Sequence, residues 1–181
     1  MTTDEQILAL LEKPQTSERG FRLLMEKYQE RLYWHIRRLV CEHEDANDVI
    51  QDCFVKVYRN IHNFERKSKL YTWLYRIATN EAITFLKKKQ RRSTASIDEE
   101  EGGLANQLQA DVYFDGDEMQ SRLLQALDEL PEKQRLVFNM RYFEELSYKD
   151  ISEVLDTSVG ALKASYHHAV KKIEVFLKAG L

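Results

Sequence analysis

Two prolines and six glycines are all that 181 residues contain. Turn-rich β folds use many of both, so their scarcity predicts a mostly helical chain. Cysteine is nearly absent too. Cys41 and Cys53 form no CxxC pair, which excludes a disulfide framework and points to a reduced, cytoplasmic compartment. No apolar run approaches the roughly 20 residues that a membrane helix needs. The opening MTTDEQILALLEK is acidic and amphipathic and lacks a signal-peptide layout. The expectation is a protein that is not itself a membrane protein. Also missing are a nucleophile–base pair, a Gly-rich phosphate loop and metal-ligand spacing. Cys41 and His43 offer two donors, too few for a metal site. No enzyme, cofactor or metal is expected.

Hydrophobic residues make up 43 % of the chain, enough for a packed core, and the net charge is −3. The charge is unevenly placed. Residues 61–92 carry nine Lys/Arg against Glu65 and Glu81. Residues 93–120 carry eight acids and no Lys/Arg, and residues 121–181 carry nine of each. This asymmetry, rather than the total, points to a polyanion partner.

Pro14 separates a short first helix from a second over Ser17 to Val40. A third is expected over Glu44 to Ile61 and a fourth over Ser68 to Lys89. Periodicity stops in STASIDEEEGGLANQLQADVYFDGD, which holds three of the six glycines and reads as a tether. Helices near Glu118–Leu130, Glu132–Glu144, Ser147–Leu155 and Ser158–Leu177 follow. The fold class is therefore all-α. Two small helical domains, residues 1–92 and 118–181, are joined by an acidic flexible linker, residues 93–117.

The stretch DTSVGALKASYHHAVKKI has two faces at about 100° per residue. Leu162, Tyr166, Ala169, Ile173, Phe176 and Leu177 fall on one side; Lys163, Ala164, His167, His168 and Lys171 fall on the other. Upstream, Ser147 can cap a helix with Asp150 in capping-box position. Ile151, Val154 and Leu155 turn that helix inward, and Asp156, Thr157 and Ser158 supply a turn and the next cap. The whole is a helix–turn–helix, which would set Thr157, Ser158 and the polar face against duplex DNA. On periodicity alone a solvated basic face explains it equally well. Adjacent histidines point to different sides of a helix, which argues against a metal there.

Two other stripes stand out. Over Glu44 to Ile61, Ala46, Val49, Ile50, Cys53, Phe54 and Val57 form a buried stripe, leaving Asp48, Gln51, Asp52, Val55 and Arg59 outward. In the fourth helix Trp73, Arg76, Asn80, Thr84 and Lys87 share a side, and the loop IHNFERKSK before it offers Asn63, Phe64, Lys67 and Ser68. An aromatic, an amide and cations in a row suit unstacked bases and a phosphate track, although Trp73 would serve a core equally well. Lys87, Lys88, Lys89, Arg91 and Arg92 read as a phosphate-contacting cluster.

At this point a family resemblance appears. LDELPEKQRLVFNMRYFEELSYKDISEVLDTSVGALKASYHHAVKKI resembles region 4 of the extracytoplasmic-function (ECF) sigma factors of bacterial RNA polymerase. FRLLMEKYQERLYWHIRRLVCEHEDANDVIQDCFVKVYRNIHNF and TWLYRIATNEAITFLKKKQRR resemble their region 2. The resemblance implies an alternative sigma factor that binds core polymerase through the β′ clamp helices and the β subunit. Asp48, Gln51, Asp52 and Val55 would meet the clamp helices. Asn63, Phe64, Lys67, Ser68, Trp73, Arg76, Asn80 and Lys87 would open the promoter −10 element and hold a flipped base. Thr157, Ser158, Lys163, Ala164, His167, His168 and Lys171 would read the −35 element. The linker would thread the polymerase channel that RNA later occupies. An anti-sigma factor, often membrane-anchored in this family, would be a further partner. The chain departs from the family at Ser165, His168 and Val170, where arginine is frequent; this implies a weaker electrostatic grip or another base preference. A one-component regulator binding duplex DNA without polymerase is the alternative, but it leaves EDANDVIQDCF and TWLYRIATN unexplained.

Overall fold

The computed structural model describes residues 2–93 and 118–179. The acidic stretch expected to be a tether lies outside the described residues. Eight α-helices and no strands are present among them: α1 Asp4–Leu11, α2 Ser17–Val40, α3 His43–Asn60, α4 Leu70–Ser93, α5 Glu118–Asp128, α6 Glu132–Tyr142, α7 Tyr148–Leu155 and α8 Val159–Ala179. Ile61–Asn63 form a 3₁₀ turn, so the third helix ends one residue short of its expected limit. The fourth starts two residues late, leaving Ser68 in the preceding loop.

Thr3 and Gln6 close a capping box on α1: the Gln6 N–H donates to Thr3 Oγ1 at 3.2 Å, and the Thr3 N–H to Gln6 Oε1 at 3.0 Å. The helix then lies on α2 at Gly20, where an added Cβ would come within 3.0 Å of the Leu10 and Leu11 side chains and the Leu11 backbone nitrogen. Helices α2, α3 and α4 pack mutually. The stripe expected on α3 is buried at all six positions. Leu24, Leu32 and Ile36 of α2 and Leu74 of α4 are fully buried beside it, each contributing about 1.5–3 kcal/mol. Lys56–Glu81 and Lys89–Glu42/Asp45 pairs clip α3 to α4 at its rim. Both cysteines are free, and burial pushes their thiols up to about 11 at Cys41 and about 12 at Cys53. They behave as small core residues.

The C-terminal half has a core of its own, in which Leu124, Leu127, Leu130, Phe138, Ala169 and Ile173 pack together. The two halves are not separate bodies. Leu136, Val137, Met140, Leu146, Ile151 and Val154 share one continuous core with α1–α4. Helix α7 lies on α4, and α6 touches α2.

Two buried carboxylates fasten this junction. Glu144, just past α6, accepts from Arg38 Nη1 at 2.6 Å and from the Tyr75 hydroxyl at 2.5 Å. Asp150 in α7 accepts from the hydroxyls of Tyr71 at 2.7 Å and Thr72 at 3.3 Å, with Lys69 Nζ at 3.6 Å. The expected capping box is therefore only half formed. Ser147 Oγ accepts from the Asp150 N–H at 3.1 Å, but the Asp150 carboxylate takes the Ser147 hydroxyl and reaches across to α4. Burial alone would raise its pKa; hydrogen bonds from Ser147 and Tyr71, the Lys69 charge and Thr72 outweigh that and hold it below the usual carboxylate value.

Inside the N-terminal half, His35 Nε2 lies 2.9 Å from Thr79 Oγ1, whose own hydroxyl donates to the Tyr75 carbonyl at 2.7 Å. Thr79 must therefore accept, which sets the neutral Nε2–H tautomer. Burial, with Arg38 adding to it, pushes this imidazole down to about 3. In the unfolded chain it titrates near pH 6.5. As pH falls below that value the unfolded chain takes up a proton that the folded chain refuses, so stability is lost on acidification, by up to about 1.4 kcal/mol per pH unit. Denaturant titrations at neutral and mildly acidic pH should show this slope, and His35→Gln should flatten it; an unchanged slope would place the titrating group elsewhere. Gly20→Ala should lower stability by about 1–3 kcal/mol through overpacking, despite alanine's better helix propensity, and a thermal melt reads this directly.

Candidate nucleic-acid interface

The loop after the 3₁₀ turn and the first turns of α4 make a cavity of about 650 Å³, lined from this side by Asn63, Phe64, Glu65, Lys67, Ser68, Thr72, Trp73 and Arg76. Six of the eight residues expected at a −10 element are among these. Arg66 makes the turn possible with a φ of 57°, and its guanidinium reaches Glu12 at 2.5 Å. Trp73 is half-buried, with its ring centroid 5.3 Å from that of Phe64 and the planes tilted by 47°. It therefore serves packing and cavity at once: one part holds the loop, the other faces the opening. Such a slot suits a planar base, where stacking on an aromatic contributes about 1–3 kcal/mol.

From the cavity an exposed stripe runs along α4 through Arg76, Asn80, Thr84 and Lys87. This is the side expected from periodicity. The basic cluster beyond it needs one correction. Lys89 is turned away from the stripe and binds Glu42 at 2.6 Å and Asp45 at 3.0 Å, so it clips α3 to α4 rather than facing a phosphate. Lys87 and Lys88 remain exposed.

In the other half, Asp156 ends α7 in the left-handed conformation (φ 49°), which aspartate tolerates better than most residues. Ser158 Oγ then accepts from the Ala161 N–H at 3.3 Å and caps α8. Ser158, Lys163, Ala164, His167, His168 and Lys171 are exposed on one face and Thr157 is half-buried. Leu162, Ala169 and Ile173 are buried on the opposite face. Lys163 Nζ lies 5.8 Å from the Tyr148 ring centroid, which supports its stem without hiding it. No group of three or more His, Cys, Asp or Glu able to hold a metal occurs among the described residues.

A third surface lies on α2 and α3. Asp48, Gln51, Asp52 and Val55 are all exposed. Gln51 and Val55 border a groove of about 660 Å³ floored by Phe21, Met25, Ile50, Phe54 and Tyr58. Val55 is 48 % and Tyr58 56 % exposed, making an apolar patch within a charged face. Such patches mark interaction sites.

Family models match both halves: sigma-70 region 2 over residues 24–92 and sigma-70 region 4 over residues 120–173. The chain belongs to the ECF sigma factors. It is 35 % identical to the RNA polymerase sigma-H factor of Pseudomonas aeruginosa, covering 98 % of this chain and 97 % of that one. It is 35 % identical to the ECF RNA polymerase sigma-E factor of Haemophilus influenzae, with 92 % of each covered. Among solved structures it resembles the sigma factor RpoE bound to the anti-sigma factor NepR from Bartonella quintana, with a TM-score of 0.71 at 22 % identity over 87 % of this chain and 96 % of that one. It equally resembles CnrH bound to the cytosolic domain of CnrY, with a TM-score of 0.71 at 21 % identity and 97 % of each covered. As an alternative sigma factor the chain directs transcription initiation and is not an enzyme.

Within the sigma factor, region 2 supplies the cavity, the α4 stripe and the α3 face, and region 4 supplies the helix–turn–helix. A regulator with an unrelated sensor domain does not account for the region 2 match. Sequence reading missed Phe21, Met25 and Tyr58. Tyr58 carried a signal: three residues after Val55, it continues an apolar patch on the outward side of α3. Lys89 and Lys87 now make a testable contrast. Lys89→Ala should lower stability by about 0.5–1 kcal/mol, as for a partly exposed ion-pair clip, while Lys87→Ala should leave the melting temperature unchanged.

Proposed function

We propose that each surface takes one step of initiation. The outward face of α3, with Asp48, Gln51, Asp52 and Val55, docks on the β′ clamp helices of core polymerase, and region 4 adds a contact to the β subunit. Asn63, Phe64, Lys67, Ser68, Trp73 and Arg76 receive an unstacked −10 base, and Asn80 and Lys87 continue the single-strand track. Thr157, Ser158, Lys163, Ala164, His167, His168 and Lys171 read the −35 duplex, with the N-terminal turn of α8 in the major groove. Residues 1–92 and 118–181 thus form the two functional domains. The observation that carries this reading is the aromatic cavity opening onto a cationic stripe, in the same chain as a helix–turn–helix whose outer face is free.

Work in the cytoplasm, beside polymerase, follows from this reading. No helix among the described residues is long and apolar enough to cross a membrane. One structural relative was solved with an anti-sigma factor and another with the cytosolic domain of CnrY, and sequestration by an anti-sigma partner, membrane-anchored or not, is the regulation this chain would receive. Ser165, His168 and Val170 place few permanent cations on α8, so region 4 would rely less on phosphate attraction than its arginine-rich relatives.

Run-off transcription with purified core polymerase tests the assignment. Lys163→Ala should weaken −35 recognition by about 1–3 kcal/mol and spare melting once binding is saturated. Asn80→Ala should leave −35 engagement near normal but yield little transcript on duplex DNA. A premelted −10 bubble should partly rescue Asn80→Ala and not Lys163→Ala at limiting protein. Identical behaviour of the two variants on both templates would refute the division of labour. In a core-binding assay Asp52→Lys should weaken association with unchanged circular dichroism, because it reverses a charge within the interface.

A further inference from the structure

Gly20 and Gly160 both lie within described helices, and only the first is explained by packing within the chain. At Gly20 an added Cβ would come within 3.0 Å of Leu10 and Leu11, so α1 fills the space that glycine leaves. At Gly160, in the first turn of α8, an added Cβ would meet nothing within 4 Å. The backbone there does not need glycine either, since no glycine among the described residues has a positive φ. A helical glycine is less stable than alanine because it surrenders more backbone freedom on folding. Judged by the chain alone, alanine at 160 would fit and would stabilise the helix.

The place of Gly160 on α8 says what meets the gap. At about 100° per residue, His167 and Lys171 fall within about 20° of Gly160, opposite the buried Leu162, Ala169 and Ile173. Gly160 therefore heads the centre line of the face assigned above to the −35 duplex. Lys163 stands to one side of that line, with Nζ 5.8 Å from the Tyr148 ring centroid. Along the face the side chains lengthen toward the C-terminus: none at Gly160, a methyl at Ala164, imidazoles at His167 and His168, a four-carbon ammonium at Lys171, all exposed. From Gly160 to Lys171 the helix rises about 16 Å. A surface resting on these tips is inclined to the helix axis and comes nearest the backbone at Gly160. The major groove has that relief, with base edges on its floor for the bare end and phosphates along its walls for the long cation.

We propose that Gly160 is the point of closest approach between region 4 and the −35 duplex: with no side chain there, the α8 backbone itself lies against the base edges, and any Cβ would hold the helix off them. The proposal rests on the −35 assignment of the outer face of α8. Gly160 is then a positioning residue. It distinguishes no base; it sets the depth at which Lys163 and its neighbours reach theirs. The helix stability given up at this glycine is what that depth costs.

The test uses the full chain with purified core polymerase in run-off transcription at limiting protein. One template is a promoter duplex that the unaltered holoenzyme selects from a random-sequence pool. The other carries the same −10 element premelted and ends short of the −35 element. Gly160→Ala should raise the melting temperature by about 1–4 °C and leave helical circular dichroism intact. On the full duplex it should nevertheless lower transcript at least about fivefold, as for a methyl forced into a packed contact, and on the shortened template it should match the unaltered chain. Gly160→Ser should show the same fall, since any Cβ intrudes. Full activity of Gly160→Ala on the duplex, where Lys163→Ala fails, overturns the close approach and leaves the −35 reading standing. Full activity of both variants, or no promoter selected by the unaltered holoenzyme, overturns that reading as well. An equal loss on both templates also overturns the proposal, because it places the contact on polymerase rather than on DNA.

Discussion

The carboxylate of Glu144 is the point on which the arrangement of the two halves turns. Desolvating a carboxylate costs several kcal/mol unless charge and hydrogen bonds meet it. Arg38 and Tyr75 do so from two different helices of region 2, and the Arg38 guanidinium is itself seated 4.4 Å from the Phe143 ring centroid. That fixes the end of α6 against α2 and α4 together. The chain then turns through Glu145 at a φ of 54°, with the Leu146 N–H returned to the Met140 carbonyl at 3.1 Å. Position and direction of α7 follow from this turn, and Asp150 arrives opposite Tyr71 and Thr72. The placement of the helix–turn–helix thus combines one satisfied buried charge and one left-handed residue with the apolar core that Leu146, Ile151 and Val154 share with region 2.

Each helix was legible in the sequence because each buries a stripe with its own period. The α3 and α8 faces were read position by position for that reason, and the cap at Ser158 was legible from local chemistry. The junction was not. Glu144 reads as a polar helix end and Asp150 as a capping residue, since nothing within four residues of either reveals a partner 69 to 106 positions away in sequence. Lys89 shows the same limit in reverse. It sits in a run of cations that looks uniformly solvated, yet the helical turn carries it toward the acids at the start of α3. Trp73 fell between two readings, core or site, because a half-buried tryptophan satisfies both.

Charge distribution ties the two halves to different jobs. On α4 the exposed cations Arg76, Lys87, Lys88 and Arg91 line one flank of region 2, whereas the outer face of α8 offers Lys163 and Lys171 among alanine and histidines. Affinity gained from phosphates scales with the number neutralised and falls steeply with salt. Under the proposed assignment, region 2 therefore carries most of the salt-dependent grip, and region 4 contributes through shape and base edges. Docking α7 on the cavity at the head of α4 sets Glu153 and Asp156 beside the start of that cationic flank. These two acids offset part of the positive field of Lys67 and Arg76, so the head of α4 is less cationic than its far end, where Lys87, Lys88 and Arg91 stand exposed.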